Sequence, residues 1–133
     1  MNPLNYATLE ASKRLHDAGI ALNSEAVWIH VQGGSWYLRL KDDGIVSHSS
    51  LDEVIPAPSM AEVWMELPAT IPDRGLYAPM KLRKAGDGKT WGSYFRDGSQ
   101  IIDSIKADTN PTDALIDLLI WLRRDFNAKH NCP

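Results

Sequence analysis

The strongest hydrophobic pattern in the chain lies between Asn110 and Arg124 and has the period of an α-helix. Its apolar residues follow i, i+3, i+4 and i+7 spacing and also fill the neighbouring positions: Leu115, Ile116, Leu118, Leu119, Ile120, Trp121 and Leu122. Asn110 suits the N-cap, and Pro111 suits the first turn, where its missing N–H costs no hydrogen bond. Because so wide an apolar face must be covered on several sides, the pattern predicts a helix in the core.

A second helix is predicted near the N-terminus, from Leu4 or Thr8 to Ala18. Its apolar stripe consists of Leu4, Ala7, Ala11, Leu15 and Ala18. Gly19 follows directly, and glycine readily takes the left-handed conformation that ends a helix. The local pattern therefore predicts both the face and the end of this element.

A third, short helix is predicted to start after Ser59. Ser59 and Glu62 have the spacing of a capping box, in which each residue satisfies a free backbone N–H of the other. Its apolar positions share one face: Met60, Val63, Trp64 and Leu67. Pro68 ends it, because the residue before a proline disfavours the helical conformation.

Alternating apolar and polar residues predict antiparallel strands in two parts of the chain. The first part contains Ala26–Gln32 and Ser35–Lys41, joined by Gly33-Gly34, and a weaker strand at Ile45–His48. The second contains Met80–Ala85 and Lys89–Arg96, joined across Gly86-Asp87-Gly88, and a closing strand at Gln100–Lys106. The proline-rich stretch Leu67–Pro79 is predicted to be a loop.

The order helix, strands, helix, strands, helix predicts an α+β fold. We expect a single domain over residues 1–133, with an antiparallel sheet of about five strands and three helices. The C-terminal helix should lie in the core. A chain of 133 residues is long enough to bury one such core.

Composition changes this picture little, but it limits the classes of function. The 44% of hydrophobic and 23% of charged residues are typical of a globular protein, and the net charge of −3 gives no general attraction to nucleic acid or anionic lipid. The first residues lack the features of a signal peptide, and no apolar run is long enough to span a bilayer. Cys132 is the single cysteine, so an internal disulfide is excluded. We therefore expect a cytoplasmic protein without a membrane partner.

Three segments resemble short, uncharacterised proteins that are widespread in bacteriophage and prophage genomes and have no assigned function. The segments are Tyr6–Leu15 continuing to Gly19-Ile20, Ile55–Trp64, and Thr109–Leu115 with the apolar helix after it. They cover the three predicted helices and leave the strands unmatched. The resemblance implies a phage accessory or host-interaction protein in the cytoplasm of a bacterial host, and it supplies no catalytic residue.

Residue patterns for enzymatic chemistry are sparse. The chain has no Gly-x-Ser-x-Gly motif, no phosphate-binding glycine loop, and no histidine pair at metal-ligand spacing. His30 and His48 would approach each other, near Asp42 or Asp43, if their strands are neighbours, but ordinary surface histidines are the favoured interpretation. We expect no catalytic residue, no metal and no cofactor. A small hydrolase or nucleotide-binding protein remains a secondary alternative.

The second predicted hairpin combines positive charge with aromatic residues. Its candidate binding residues, for a protein partner or for nucleic acid, are Lys81, Arg83, Lys84, Lys89, Tyr94 and Arg96. Lys81 and Arg83 should share one strand face, and Tyr94 and Arg96 should share a face opposite Trp91, Ser93 and Phe95. Such a surface suits single-stranded nucleic acid, whose phosphates attract cations and whose bases stack on rings. The simpler interpretation is that Trp91 and Phe95 face the core and that the lysines are solvated.

Five tryptophans and four tyrosines are many for one small core, and these residue types dominate interface energetics. The candidate exposed aromatics are Trp36, Tyr37 and Tyr77. The first prediction is therefore a non-catalytic accessory protein that binds a host or phage macromolecule, with a protein partner favoured. Single-stranded nucleic-acid binding through residues 81–96 is the main alternative. The sequence also leaves homo-oligomerisation open.

Overall fold

A computed structural model describes residues 2–41, 51–73, 75–101 and 108–126 of the chain. The helices are α1 (Leu9–Asp17), α2 (Met60–Glu66) and α3 (Pro111–Trp121). The strands are β1 (Ala26–Val31), β2 (Trp36–Leu40), β3 (Leu51–Pro56), β4 (Thr70–Asp73), β5 (Leu76–Lys84), β6 (Thr90–Arg96) and β7 (Ser99–Gln100). The α+β class is confirmed. The strands, however, form two antiparallel sheets, β2-β1-β3 and β4-β5-β6-β7, instead of one sheet of about five strands.

In the three-stranded sheet, β1 is the central strand. Gly33 has a φ of 75°, which favours glycine, and this turn joins β1 to β2 as predicted. The third strand of this sheet is β3, which was not predicted, and the predicted strand Ile45–His48 lies outside the described residues. In the structure, β3 is an edge strand of this sheet, in which Val54 is 36% exposed and the next residue, Ile55, is buried.

The four-stranded sheet includes a hairpin where a loop was predicted. Residues 67–79 contribute all of β4 and the start of β5, joined by a turn in which Gly75 has a φ of 80°. Pro72 is tolerated because β4 is an edge strand and needs hydrogen bonds on one side only. Pro79 lies where β5 stops pairing with β4, and Met80 begins the pairing with β6. The two prolines therefore occupy positions where no backbone N–H is needed for hydrogen bonding to a neighbouring strand.

Helix α3 lies in the core, as predicted. The Asn110 side chain accepts hydrogen bonds from the backbone N–H groups of Thr112 and Asp113 at 2.9 and 3.3 Å. The α-helical part ends at Trp121, before the predicted Arg124, and helical structure continues as a π-helical turn to Phe126. Its fully buried large apolar residues are Leu115, Ile116, Leu118 and Leu119.

Strand β6 lies directly against α3 at Gly92. A Cβ atom on this glycine would be 3.4 Å from a methyl carbon of Leu115 and 3.4 Å from one of Leu118. The absence of a side chain therefore lets helix and sheet approach closely. The larger core forms at this contact and includes residues of α1, α2 and the strand β4.

The two shorter helices begin where they were predicted. The Thr8 side chain caps α1, which ends one residue before the predicted Ala18, and the Ser59–Glu62 capping box is present at α2. Thr8 also ties α1 to α3, because its backbone N–H and its hydroxyl both donate to the Asp113 carboxylate. On α2, Val63 is buried, but Trp64 is 46% exposed although it lies on the predicted apolar face.

Candidate functional site

The basic residues of the β5–β6 hairpin lie on and around one outward face of the four-stranded sheet. Lys81 is opposite Ser93 and Arg83 is opposite Trp91, so these side chains share a face. Lys81 and Arg83 are exposed, as are Lys84 at the end of β5 and Lys89 in the turn. Lys84 pairs with Thr90, so its side chain points to the opposite face of the sheet. The hairpin thus presents several exposed cations, of which Lys81 and Arg83 share the outward face.

The hairpin turn itself has no phosphate-binding geometry. The N–H of Gly88 donates to Ala85 O at 3.0 Å, and the N–H of Lys89 donates to the Asp87 carboxylate at 3.0 Å. Gly88 has a φ of 84°, which suits glycine. Residues 86–89 therefore form the tight turn that the sequence predicted, and the N–H groups of Gly88 and Lys89 are used within it.

Tyr94 is not part of the exposed surface, which corrects the prediction that it could stack a base. The side chain is fully buried, and its hydroxyl donates to Pro68 O at 2.6 Å. Its ring lies 6.4 Å from that of Trp121, between centroids. Burial raises the pKa of Tyr94 to about 12, so the hydroxyl stays protonated near neutral pH. Tyr94 is a core residue.

Arg96 is likewise unavailable as a free cation. Its guanidinium donates through both Nε and Nη2 to the Asp73 carboxylate, and the second of these contacts is 3.0 Å long. Asp73 is only 5% exposed. The fork of the guanidinium matches the two carboxylate oxygens, so the pair joins β6 to β4. Its role in the structure is to hold the edge strand.

Two aromatic rings take the surface position that had been expected of Tyr94. Phe95 and Trp91 are half-buried on the face that carries Lys81 and Arg83, and the Lys81 Nζ lies 5.1 Å from the centre of the Phe95 ring. Trp91 also contacts the margin of the larger core. The expectation that both rings face the core is therefore wrong for Phe95 and only partly right for Trp91. A cation and an aromatic ring do share a face, but the ring is that of Phe95 and not that of Tyr94.

The three candidate exposed aromatics differ in their environment. Tyr77 is 76% exposed, and Tyr37 is 44% exposed with the Arg39 guanidinium 5.4 Å from its ring centre. Trp36 is half-buried, because it stacks on His30 with centroids 4.9 Å apart and lies under the Lys13 ammonium. Trp36 therefore packs within its own sheet and is not the exposed ring that was expected.

Sequence reasoning missed a cleft beside the tip of the β4–β5 hairpin. It has a volume of about 190 Å³ and lies between the hairpin and the end of β6, with Tyr77, Pro79 and Phe95 among its walls. Leu76, next to it, is 61% exposed. The Asp73-Arg74-Gly75 triplet lies in the stretch Leu67–Pro79 that was predicted to be a loop. Had it been taken as a hairpin turn, it would have placed Leu76 and Tyr77 at an exposed tip.

The described residues offer no support for a metal centre. Within residues 2–41, 51–73, 75–101 and 108–126, no group of three His, Cys, Asp or Glu side chains could hold a metal ion. His30 Nε2 lies 3.1 Å from Gly34 O, within its own hairpin. His48, Asp42 and Asp43, which the alternative site required, lie outside the described residues.

Comparison with known proteins adds no relative. No family model, curated protein or solved structure matches the chain. Among the described residues, no helix is both long and apolar enough to cross a membrane. Inference about function therefore depends on the surfaces and clefts of the described residues.

Proposed function

We propose that the protein is a small, non-catalytic binding protein that holds an acidic segment of a partner protein on the outward face of β5 and β6. The resemblance in the three helical segments suggests a phage accessory protein, with the partner belonging to the host or the phage. The observation that carries the proposal is the shared face of cations and rings, in which Lys81 lies 5.1 Å from the Phe95 ring centre. Acidic side chains of a partner would pair with these cations.

The charge of this face supports an acidic partner although the whole chain is acidic. Lys81, Arg83 and Lys89 are exposed, and none forms an ion pair with another described residue. Arg96 forms an ion pair with Asp73, so the Asp73 carboxylate does not neutralise the positive charge of the lysines. A local positive patch steers an acidic partner toward this face and favours it over neutral competitors.

The apolar part of the surface supports a protein partner. Tyr77 is 76% exposed at the hairpin tip and has the same strand parity as Lys81, whereas the adjacent Leu76 is 61% exposed on the other side of β5. A large exposed ring beside a cleft suits a protein interface. The adjoining cleft of about 190 Å³ is smaller than a typical small-molecule pocket but has room for one anchoring side chain. Interfaces are dominated by a few such aromatic anchors within a polar rim.

Single-stranded nucleic acid is a second candidate, because Trp91 and Phe95 lie on the same face as Lys81 and Arg83. Two of the residues predicted to bind nucleic acid cannot contact it freely, since Tyr94 is buried and Arg96 is paired with Asp73. The remaining rings are half-buried and expose little flat surface for stacking. We therefore place this candidate second.

The test is selection of peptides from a random library by the full-length protein. We expect enrichment of peptides that combine acidic residues with one aromatic or aliphatic residue. The double variant Lys81→Glu, Arg83→Glu should weaken binding of a selected, fluorescently labelled peptide at least about tenfold, because it replaces attraction by repulsion. Tyr77→Ala should weaken it through loss of apolar contact. Fluorescence anisotropy measures both effects.

The matched control is Lys41→Glu, Arg124→Glu, which makes the same change in charge at exposed positions outside β4–β7. It should leave the affinity within about twofold of the wild type. Failure to enrich any peptide, or equal losses in the two double variants, would contradict the proposal. Tighter binding of oligo(dT) than of the selected peptides, with a steep salt dependence, would favour nucleic acid instead.

A further inference from the structure

A second open site lies away from the basic face, in a groove between the chain before α1, the residue before β1, and helix α2. Its volume is about 520 Å³, within the usual range for small-molecule sites. Tyr6, Glu25, Met60 and Trp64 contribute to its walls. None of the binding residues predicted from sequence belongs to it.

The Glu25 carboxylate at this groove, and the Glu62 carboxylate next to the lining residue Ser59, are fixed by neutral donors. The Tyr6 hydroxyl donates to Glu25 Oε1 at 2.6 Å. Glu62 accepts the backbone N–H of Ser59 at 2.7 Å and that of Glu25 at 3.1 Å, one on each oxygen. Among the described residues, neither glutamate forms an ion pair with a lysine, arginine or histidine. Lys41 is the cross-strand neighbour of Glu25, since its backbone N–H donates to Glu25 O at 2.9 Å, but its ammonium group forms no ion pair with the Glu25 carboxylate. The Glu25 charge is therefore open to a ligand.

The Tyr6 hydroxyl is held in its donor form. The hydrogen bond to Glu25, together with burial and the nearby negative charges, raises the pKa of Tyr6 to about 12. Near neutral pH, Tyr6 therefore donates to Glu25 and fixes the direction of that carboxylate. A fixed charge loses little conformational freedom when a ligand arrives.

An aromatic ring completes the groove. Trp64 is 46% exposed although it lies on the apolar face of α2, and Met60 beside it is half-buried. An exposed indole attracts a cation to its face, and a nearby carboxylate attracts the same cation by charge. Apolar surface along Met60 would receive the uncharged part of a ligand.

We propose that this groove binds a small organic cation, an alkylammonium or guanidinium group attached to an apolar body. The cationic group lies against the Glu25 carboxylate and the Trp64 ring, and the apolar body lies along Met60. Charge complementarity selects a cation, and the volume of about 520 Å³ fits a free small molecule. This site is independent of the proposed protein-binding face.

The experiment is a titration of the full-length protein followed by ¹H–¹⁵N NMR. The probes are phenethylamine and benzamidine, which are cationic, and 2-phenylethanol, which has a similar shape without the charge. We expect the cations to shift the backbone signals of Glu25 and Ala61 and the indole N–H signal of Trp64. The spectrum of Trp64→Phe identifies that indole signal by its loss. The alcohol should bind at least about tenfold more weakly.

Matched variants test the two groups that hold the cation. Glu25→Gln keeps an acceptor for Tyr6 but removes the charge, and it should weaken binding of the amine about tenfold. Trp64→Ala should weaken it about threefold or more, through loss of the cation–π contact. Glu53→Gln removes an exposed carboxylate from β3, outside the groove, and should leave the affinity unchanged. Thermal melting of each variant shows whether the fold is intact.

Three results would overturn the proposal. The first is equal affinity for amine and alcohol, which would indicate an apolar crevice without charge selection. The second is equal weakening by Glu25→Gln and Glu53→Gln, or no shift with either cation at ~10 mM, a concentration above the Kd of a weak fragment site. The third is tighter binding of acetyl-arginine amide than of both small cations, which would identify a side chain of a partner protein as the occupant.

Discussion

At the scale of single residues, Asp113 shows how a buried polar group is accommodated. It is 3% exposed, and it accepts hydrogen bonds from the backbone N–H and the hydroxyl of Thr8 at 2.9 and 2.6 Å. Desolvation raises the pKa of the Asp113 carboxyl, and the hydrogen bonds from Thr8 offset part of that increase. The contact that joins α1 to α3 is therefore also sensitive to protonation.

Asp113→Asn should reduce the pH dependence of stability. Because the pKa of Asp113 is raised in the folded state, its protonation stabilises the fold, and this stabilisation is complete below the ordinary aspartate pKa. It is lost as the pH rises through the folded-state pKa. The free energy of unfolding of Asp113→Asn, relative to that of wild type, should therefore increase between acid and neutral pH, which means that the variant becomes relatively more stable. Urea denaturation at both pH values measures this difference.

Asp125→Asn is the control for Asp113→Asn, because it makes the same change in charge at an exposed position. A difference between Asp113→Asn and wild type that stays constant with pH would show that Asp113 does not titrate as proposed. The same conclusion would follow if Asp125→Asn changed the pH dependence equally.

At the scale of elements, α3 is the helix on which the rest of the larger core packs. Leu115 and Leu118 fill the space that Gly92 leaves open on β6, and α1 and α2 also contact the helix. A helix of this length gains most of its stability from such tertiary packing. Damage to its buried face should therefore lower the stability of the whole fold.

Leu118→Ala should lower the free energy of unfolding by ~2–5 kcal/mol, because the buried leucine leaves a cavity in a packed interior. The measurement is urea denaturation followed by tryptophan fluorescence and by circular dichroism. Met65→Ala, at a position that is 81% exposed, is the control and should change stability by at most ~0.5 kcal/mol. An unchanged denaturation midpoint for Leu118→Ala would mean that α3 is not central.

At the scale of the whole molecule, two buried tyrosines lie in two separate apolar clusters. Tyr94 belongs to the larger core against α3, whereas Tyr6 packs with Ala26 and Ala57 against the three-stranded sheet. The pKa of each is raised to about 12, Tyr6 mainly by its hydrogen bond to Glu25 and Tyr94 by burial. Both clusters therefore contribute to the alkaline limit of stability.

The free energy of unfolding should fall as the pH rises from 10, the ordinary tyrosine pKa, to about 12. A raised folded-state pKa means that the folded chain keeps protons that the unfolded chain loses, so this stabilisation disappears over that interval. Tyr94→Phe should reduce the decrease in the free energy of unfolding with pH. The double variant Tyr6→Phe, Tyr94→Phe should reduce it further. Thermal unfolding at several alkaline pH values gives the slopes.

Tyr77→Phe is the control for Tyr94→Phe, because it removes a hydroxyl from a side chain that is 76% exposed. If it changed the slope as much as Tyr94→Phe does, the effect would not come from buried tyrosines. An unchanged slope in the double variant would exclude Tyr6 and Tyr94 as its source.

The sequence by itself determined the helix starts, the glycine turns and the α+β class. Asn110 and Ser59 cap their helices through hydrogen bonds that span only three residues, and Gly33 and Gly88 take positive φ values in the turns predicted for them. These features depend on neighbours along the chain and on backbone sterics, so they are visible in a local pattern. The burial of α3 was predictable for a similar reason, because its apolar face is too wide to leave in water.

Only the tertiary structure decided which strand face meets the core and which charges remain free. Alternation along β6 shows that Tyr94 and Phe95 point to opposite sides, but it does not say which side meets α3. That choice is made by packing against Leu115 and Leu118 at Gly92. The pairing of Arg96 with Asp73 and the meeting of Glu25 with Tyr6 join residues 23 and 19 positions apart, respectively. Such contacts depend on how the elements are placed in space, and no local pattern of residues encodes that placement.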